Sequence, residues 1–166
     1  KTPQENLVIY KDSGYFRAKS DDIILIGDVG NIGPDYNPGH AHADTLSFEL
    51  SIFKKRFLVN SGTSTYENSV LRQYQRSTRA HNTVTINNKD SSEVRGSFRV
   101  AQRAKPCRLF IDKEKNIITC CHSGYLRLNG KPEHERSWEF KKNSIIITDS
   151  IKGYYISAEA MYHLHP

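Results

Sequence analysis

His40, His42 and Asp44 occupy alternate positions in Gly39-His40-Ala41-His42-Ala43-Asp44, and a third histidine follows in Ser77-Thr78-Arg79-Ala80-His81-Asn82-Thr83. Two imidazoles two residues apart, with a carboxylate beside them, have two uses. They can ligate a metal, zinc being suited to imidazole and carboxylate, or they can move protons near neutral pH. On an extended segment all three side chains project to one side and share parity with Leu46, Phe48, Leu50 and Ile52, so that side meets the core. A partly buried histidine pair needs partners, because buried polar groups cost free energy unless satisfied. A metal, a carboxylate or ordinary loop hydrogen bonds would all meet that need. Around His81 lie Asn82, Tyr66, Tyr74, Arg76 and Arg79. Aromatic rings pack on sugar rings and arginine pairs with carboxylate or sulfate, so this group suits an anionic sugar. His122 and His134 stand by themselves in the sequence, and His163 and His165 fall at the very end; none of these four is assigned chemistry.

The elements that must hold these residues are mostly strands. The 166 residues suffice for one domain with a real core, and 37% hydrophobic content argues against disorder. Nine Tyr and seven Phe favour strands over helices. Short apolar runs cover Asn6 to Tyr10, Tyr15 to Ala18 and Asp22 to Val29. A loop dense in Gly, Pro and Asn follows from Gly30 to Gly39, the composition of an irregular, surface-lying connection. Leu46, Phe48, Leu50 and Ile52 alternate with Ser47, Glu49 and Ser51, the period-two pattern of a half-buried strand. Lys54-Lys55 reads as the turn to a partner strand, Phe57 to Asn60. Glu67 to Arg76 is the one segment with helical character. Thr83 to Ile86 is a strand ending at an Asn87-Asn88 turn. Further strands are expected near Ser97–Gln102, Cys107–Ile111, Ile117–His122, Arg136–Phe140, Ser144–Ile151 and Tyr155–Leu164. The fold class is therefore all-β, with stacked antiparallel sheets in a sandwich-like arrangement and at most one short helix.

A formal charge of +6 favours acidic partners, but the Lys and Arg residues are dispersed, with no basic helix or tight cluster. Nucleic acid is not expected, and no apolar run approaches the ~20 residues of a membrane span. Cys107, Cys120 and Cys121 form an odd set without a CxxC spacing, so buried free thiols are expected rather than a disulfide framework or a zinc-thiolate site. GxSxG, P-loop, dinucleotide-binding, HExxH and EF-hand patterns are all lacking. The chain opens at Lys1 rather than Met and stops directly after a strand-like run, so it reads as a single β domain, residues 1–166, of a longer protein.

The segments from His42-Ala43-Asp44 through Leu46-Ser47-Phe48-Glu49-Leu50 and Ser61-Gly62-Thr63 to Arg76-Ser77-Thr78, Ala80-His81-Asn82-Thr83-Val84 resemble the heparinase II/III-like family of polysaccharide lyases. The likeness is dense from Gly39 to about Asn88. It implies a C-terminal domain of stacked antiparallel sheets whose N-terminal α/α toroid is absent from this chain. It implies β-elimination on uronic-acid polysaccharides, with His40 and Tyr66 as catalytic groups; Tyr74, Arg76, Arg79 and Asn82 are expected on the substrate from their residue types around His81. It also implies zinc on His42, Asn60 and His81, although Asn60 stands where the family has Asp. An amide there supplies no negative charge and should weaken a metal. The resemblance further implies an acidic polysaccharide and the toroid as partners and a periplasmic or secreted location. With half the catalytic groups elsewhere, the isolated chain is expected to be inactive. The alternative is a non-catalytic carbohydrate-binding or structural β-sandwich.

One geometric expectation bears on the metal. A two-residue turn at Lys54-Lys55 pairs Asn60 with Glu49, which puts His42 about 23 Å away if the chain stays extended at ~3.3 Å per residue. The two imidazoles meet Asn60 only if Gly39 to Asp44 folds back, and Asn60 reaches that face only with help from a bulge.

Overall fold

Strand β1 (Leu7–Tyr10) opens a five-stranded antiparallel meander with β2 (Tyr15–Lys19), β3 (Ile23–Asp28), β4 (Phe48–Ile52) and β5 (Lys55–Leu58) in spatial order. The structure is a computed structural model and describes residues 6–166. Helix α1 (Val70–Arg76) and a 3₁₀ turn at Thr78–Ala80 cross to β6 (Val84–Ile86), and β7 (Val94–Arg95) with β8 (Arg99–Val100) forms a small hairpin. The second main sheet contains β9 (Pro106–Asp112), β10 (Ile117–His122), β11 (Glu133–Phe140) and β12 (Ile145–Lys152), again antiparallel. Strand β13 (Ala158–Ala160) returns to pair with β6.

Alternation decides which face is buried. In β2, Phe16 and Ala18 turn inward; in β3, Leu25 does. They meet Ile118, Cys120 and Trp138 from the other sheet, with Phe16 edge-on to Trp138 at 5.0 Å between ring centroids. Phe16 fits because Gly27 opposes it in the ladder: a Cβ on Gly27 would lie 2.3 Å from the Phe16 ring. The expected sandwich is thus present, and so is its single short helix. That helix starts at Val70 rather than Glu67 because Ser69 caps it, its hydroxyl accepting from the Arg72 amide at 3.2 Å. The Asn87-Asn88 turn is also present, with φ of 52° and 56°, left-handed values that asparagine tolerates. Two expected strands shrink. Only Arg99–Val100 of Ser97–Gln102 and Ala158–Ala160 of Tyr155–Leu164 form ladders.

Two expectations fail. Cys107 and Cys121 face each other across β9 and β10 and form a disulfide, which leaves Cys120 as a buried free thiol among the described residues. Adjacent cysteines point to opposite sides of a strand, so only one of Cys120 and Cys121 could face Cys107. The Gly39 to Asp44 segment, moreover, is not an extension of β4. It runs as turns, with Ala41 donating to the Pro38 carbonyl and Leu46 at φ 63°, so the shared parity with β4 does not hold.

Polar groups also cross the sandwich. On β11 the inward positions are His134, Arg136 and Trp138. Arg136 is fully buried. Its Nε and Nη2 donate to Asp149 of β12 at 2.7 and 2.9 Å, and its Nη1 donates to the carbonyls of Leu46 and Asn82 at 2.8 and 2.6 Å. Burial opposes the charge on Asp149, but the His134 and Arg136 hydrogen bonds outweigh it and hold the carboxyl well below the usual range. Replacing Arg136 with Met should therefore leave the half-buried Asp149 carboxylate with His134 as its partner and take the donor from two carbonyls. Urea denaturation is expected to show a loss of about 3–5 kcal/mol. Thiol titration of the unfolded chain should find one reactive cysteine without reductant and three with it.

Candidate active site

Helix α1 and the 3₁₀ turn grip the histidine segment through its backbone. Arg76 donates from Nε and Nη2 to the Ala41 carbonyl at 3.2 and 3.0 Å and from Nη1 to Gly96 at 2.7 Å, while the Ala43 amide donates to the Arg76 carbonyl. Thr78 Oγ1 holds the Ala43 carbonyl at 2.8 Å. The fold-back demanded by the sequence is made here. The hairpin turn falls at Phe53-Lys54, one residue before the expected Lys54-Lys55, both residues at positive φ; β4 and β5 then pair as Ile52 with Lys55 and Ser51 with Arg56, and shift at a bulge so that Leu50 opposes Leu58. The shift re-aims the residues beyond β5. Asn82 completes the frame, donating from Nδ2 to the carbonyls of Phe48 and Val59 and accepting from the His163 amide.

These contacts bring His42 and His81 together, with 5.3 Å between ring centroids. His42, Asp44 and His81 each offer a ligand atom within 4.8 Å of the others. Asn60 lies alongside, Nδ2 to His81 Nδ1 at 3.0 Å, and Thr63 Oγ1 and Arg72 Nη1 each sit 3.3 Å from His42 Nε2. Both imidazoles are held neutral. Burial, then the charges of Arg72 and Arg76, lower His42 to about 4; burial, then His42 and His163, lower His81 to about 3. Behind them, Asp28 and Asp44 are both pushed up, Asp28 by burial and by Asp44, Asp44 by burial. Tyr15, beside Asp28, rises to about 12.

His40 sits apart from this cluster and is exposed. Its ring is edge-on to Tyr66 at 5.5 Å and to Phe98 at 5.8 Å, and those two rings stack at 5.9 Å. The Arg72 guanidinium lies 5.1 Å from the Tyr66 ring centroid and so ties the exposed aromatic group to the buried imidazoles. His40, His42, Asp44 and Asn60 line one open recess of about 480 Å³ with Tyr15 and Asp28.

The residues expected on substrate divide. Tyr74 is exposed on α1, whereas Arg79 turns to the β6–β13 ribbon, where it pairs with Glu159 at 2.9 Å and Asn88 at 2.8 Å. Arg76 and Asn82 are buried and committed to backbone groups, so they position the site rather than face it. Arg72, Thr63, Phe98, Asp28 and His163 were not assigned from sequence. Arg72 carried one signal, its i, i+4 spacing to Arg76 on a helix. His122 and His134 do not stand alone either. The Gly124 amide donates to His122 Nδ1, His122 Nε2 meets His134 Nδ1 at 3.2 Å, and His134 Nε2 meets Asp149 at 2.7 Å.

Zinc on His42, Asn60 and His81 does not fit these side chains. The Asn60 amide is oriented by Gly62, whose N–H donates to Oδ1 at 2.7 Å, so it is Nδ2 that faces His81. An N–H donor therefore occupies the Nδ1 lone pair of His81, which assigns the ring proton to Nε2, a buried atom; the Gln75 backbone is the ring's other hydrogen-bond partner. On His42, Nε2 is met by the cationic Arg72. In this arrangement Asn60 enters as a hydrogen-bond donor and not as a ligand.

Residues 2–166 match the family described as Heparinase II/III-like, C-terminal, and the chain belongs to that family. Similar solved structures include a heparan sulfate lyase HepC mutant from Pedobacter heparinus (TM-score 0.69, 22% identity) and a heparinase III (0.69, 18%). A second heparinase III gene product aligns with a TM-score of 0.67 at 25% identity. Each alignment covers 92% of this chain and 23% of the other, so the chain spans about a quarter of the length of these relatives. No curated protein matches the sequence. Among the described residues no helix is long and apolar enough to cross a membrane.

The neutral imidazoles have a measurable consequence. A histidine whose folded pKa is lowered is protonated first in the unfolded chain, so it removes stability as pH falls below the unfolded value near 6.5. Asp28 and Asp44, raised in the fold, act in the opposite sense, so a comparison of variants isolates the histidine. Between pH 6 and 4 the native chain should lose up to ~1.4 kcal/mol per pH unit more than His81→Gln, read from denaturation midpoints.

Proposed function

We propose that this chain is the β domain of a polysaccharide lyase that cleaves uronic-acid-containing acidic polysaccharides by β-elimination, working with a further, helical domain. One observation carries the reading. In a member of this family, His40 stands exposed at the mouth of a polar recess, flanked by the stacked Tyr66 and Phe98 rings.

The hard step in such a reaction is removal of the proton at C5, beside a carboxylate whose charge resists carbanion formation. Neutralising that carboxylate stabilises the charge that develops. An exposed imidazole can accept or return a proton, and a phenol can protonate the leaving oxygen at C4. His40 and Tyr66 have these chemistries and lie within one ring contact of each other. The Tyr66–Phe98 pair offers a flat apolar face for a sugar ring. His42 and His81, neutral and hydrogen-bonded, support the segment that carries His40. Carboxylate neutralisation and the remaining proton transfer are assigned to the other domain, so the chain alone should not turn over. An exported location, periplasmic or secreted, is part of the proposal, and the Cys107–Cys121 disulfide supports it.

A sugar-binding module without catalysis is the second reading, favoured by the same exposed aromatic pair. His40→Ala in the whole protein separates the two. For a lyase, kcat/KM for release of unsaturated uronic products should fall at least ~100-fold while polysaccharide binding changes little. Binding by the whole native protein with no unsaturated product would leave the module. Unsaturated product from the 166-residue chain alone would overturn the division of labour.

A further inference from the structure

We propose that the Asn60 carboxamide and the Arg72 guanidinium take the place of a metal ion in this chain, so that the cluster is complete without one, and that the single change Asn60→Asp turns it into a divalent-cation site. The inference rests on the hydrogen-bond geometry and does not depend on the polysaccharide reading.

A cation held by two imidazoles needs one free lone pair from each. Here both are engaged. His81 Nδ1 accepts from Asn60 Nδ2 at 3.0 Å, and the Gly62 amide, 2.7 Å from Asn60 Oδ1, prevents the carboxamide from turning its oxygen to the ring. His42 Nε2 faces Arg72 Nη1 at 3.3 Å; that guanidinium cannot withdraw freely, because its Nε and Nη2 donate to the Ser97 carbonyl at 3.3 and 3.1 Å and its Nη1 also donates to Thr63 at 3.2 Å. Arg72 is fully buried, so its charge acts on the cluster with little screening by water. Each imidazole thus receives from an N–H what it would otherwise receive from a metal: a positive partner for its lone pair.

The surroundings favour a cation once the amide is gone. His42, Asp44 and His81 already hold one ligand atom each within 4.8 Å. An aspartate at position 60 keeps an oxygen for the Gly62 amide. It presents its second oxygen to His81 Nδ1, where it has no proton to donate. The ring can answer by moving its proton from Nε2 to Nδ1 and donating it to the carboxylate, or by sharing a divalent ion with it; with His42 and Asp44 each holding a ligand atom close by, the ion is the partner proposed here. The added charge also offsets Arg72.

The test is zinc binding by the 166-residue chain, native and Asn60→Asp, with metal content after gel filtration and calorimetric titration as readouts. The native chain should retain almost no zinc, and Asn60→Asp should retain about one ion per chain with affinity at least ~100-fold higher. That ion should be lost again on adding His81→Ala. Nitrogen NMR of the native imidazoles supplies a second arm, which stands even if the variant folds poorly: His81 should show the proton on Nε2. Stoichiometric zinc in the native chain that His81→Ala removes would overturn the proposal. So would a proton on His81 Nδ1, or a folded Asn60→Asp variant that takes up no metal.

Discussion

The fold depends on one buried cation. Arg136 lies on the inner face of β11, and its guanidinium spans the sandwich, bidentate to Asp149 on its own sheet and bonded through Nη1 to the carbonyls of Leu46 and Asn82. Those two carbonyls are chemically unlike places to spend a charge, because no strand ladder satisfies either one. Leu46 follows Asp44 by two residues and sits at positive φ; Asn82 follows His81 directly. The same guanidinium that closes the two sheets therefore fixes the backbone just beyond both halves of the histidine cluster. A buried pair of this kind is a weak source of net stability and a strong source of specificity of arrangement in this chain, since a charge in the core tolerates few alternatives.

From that point the order propagates through side chains that carry no chemistry of their own. Asn82 ties β4, the end of β5 and the His163 amide together. Arg76 and Thr78 hold the backbone of the histidine segment by its carbonyls. The site is thus positioned by loops fastened to a rigid sandwich, where the fastening groups are buried polar residues with nearly every hydrogen bond made. The His122–His134–Asp149 relay belongs to this frame. Its direction is fixed from the Gly124 amide inward, and burial keeps both imidazoles neutral inside the core.

Strand positions, the single helix, the Asn87-Asn88 turn and the all-β class were legible in the sequence because each depends on local periodicity and turn chemistry. The meeting of His42 with His81 could be proposed only by likeness, since nothing local to either segment requires it. Errors follow the same division. Arg76 and Asn82 carry groups suited to a sugar, but burial turned them to backbone carbonyls. His122 and His134 are isolated in sequence and adjacent in space because β10 and β11 pair in register. The cysteines misled for a related reason. An odd count does not say which two face each other, and the register of β9 on β10 does.

What the amino-acid sequence settled by itself was the set of possible parts: alternating strands able to form two sheets, a glycine- and proline-rich loop able to turn back, and imidazoles with an amide rather than a carboxylate at position 60. What only the tertiary structure decided was how those parts are used. It turned the Asn60 N–H toward His81, brought Arg72 to His42 and left His40 in solvent. The reason is physical. Propensity acts over a few residues, whereas the role of a polar side chain is set by whichever donors, acceptors and charges the fold brings within about 3 Å of it.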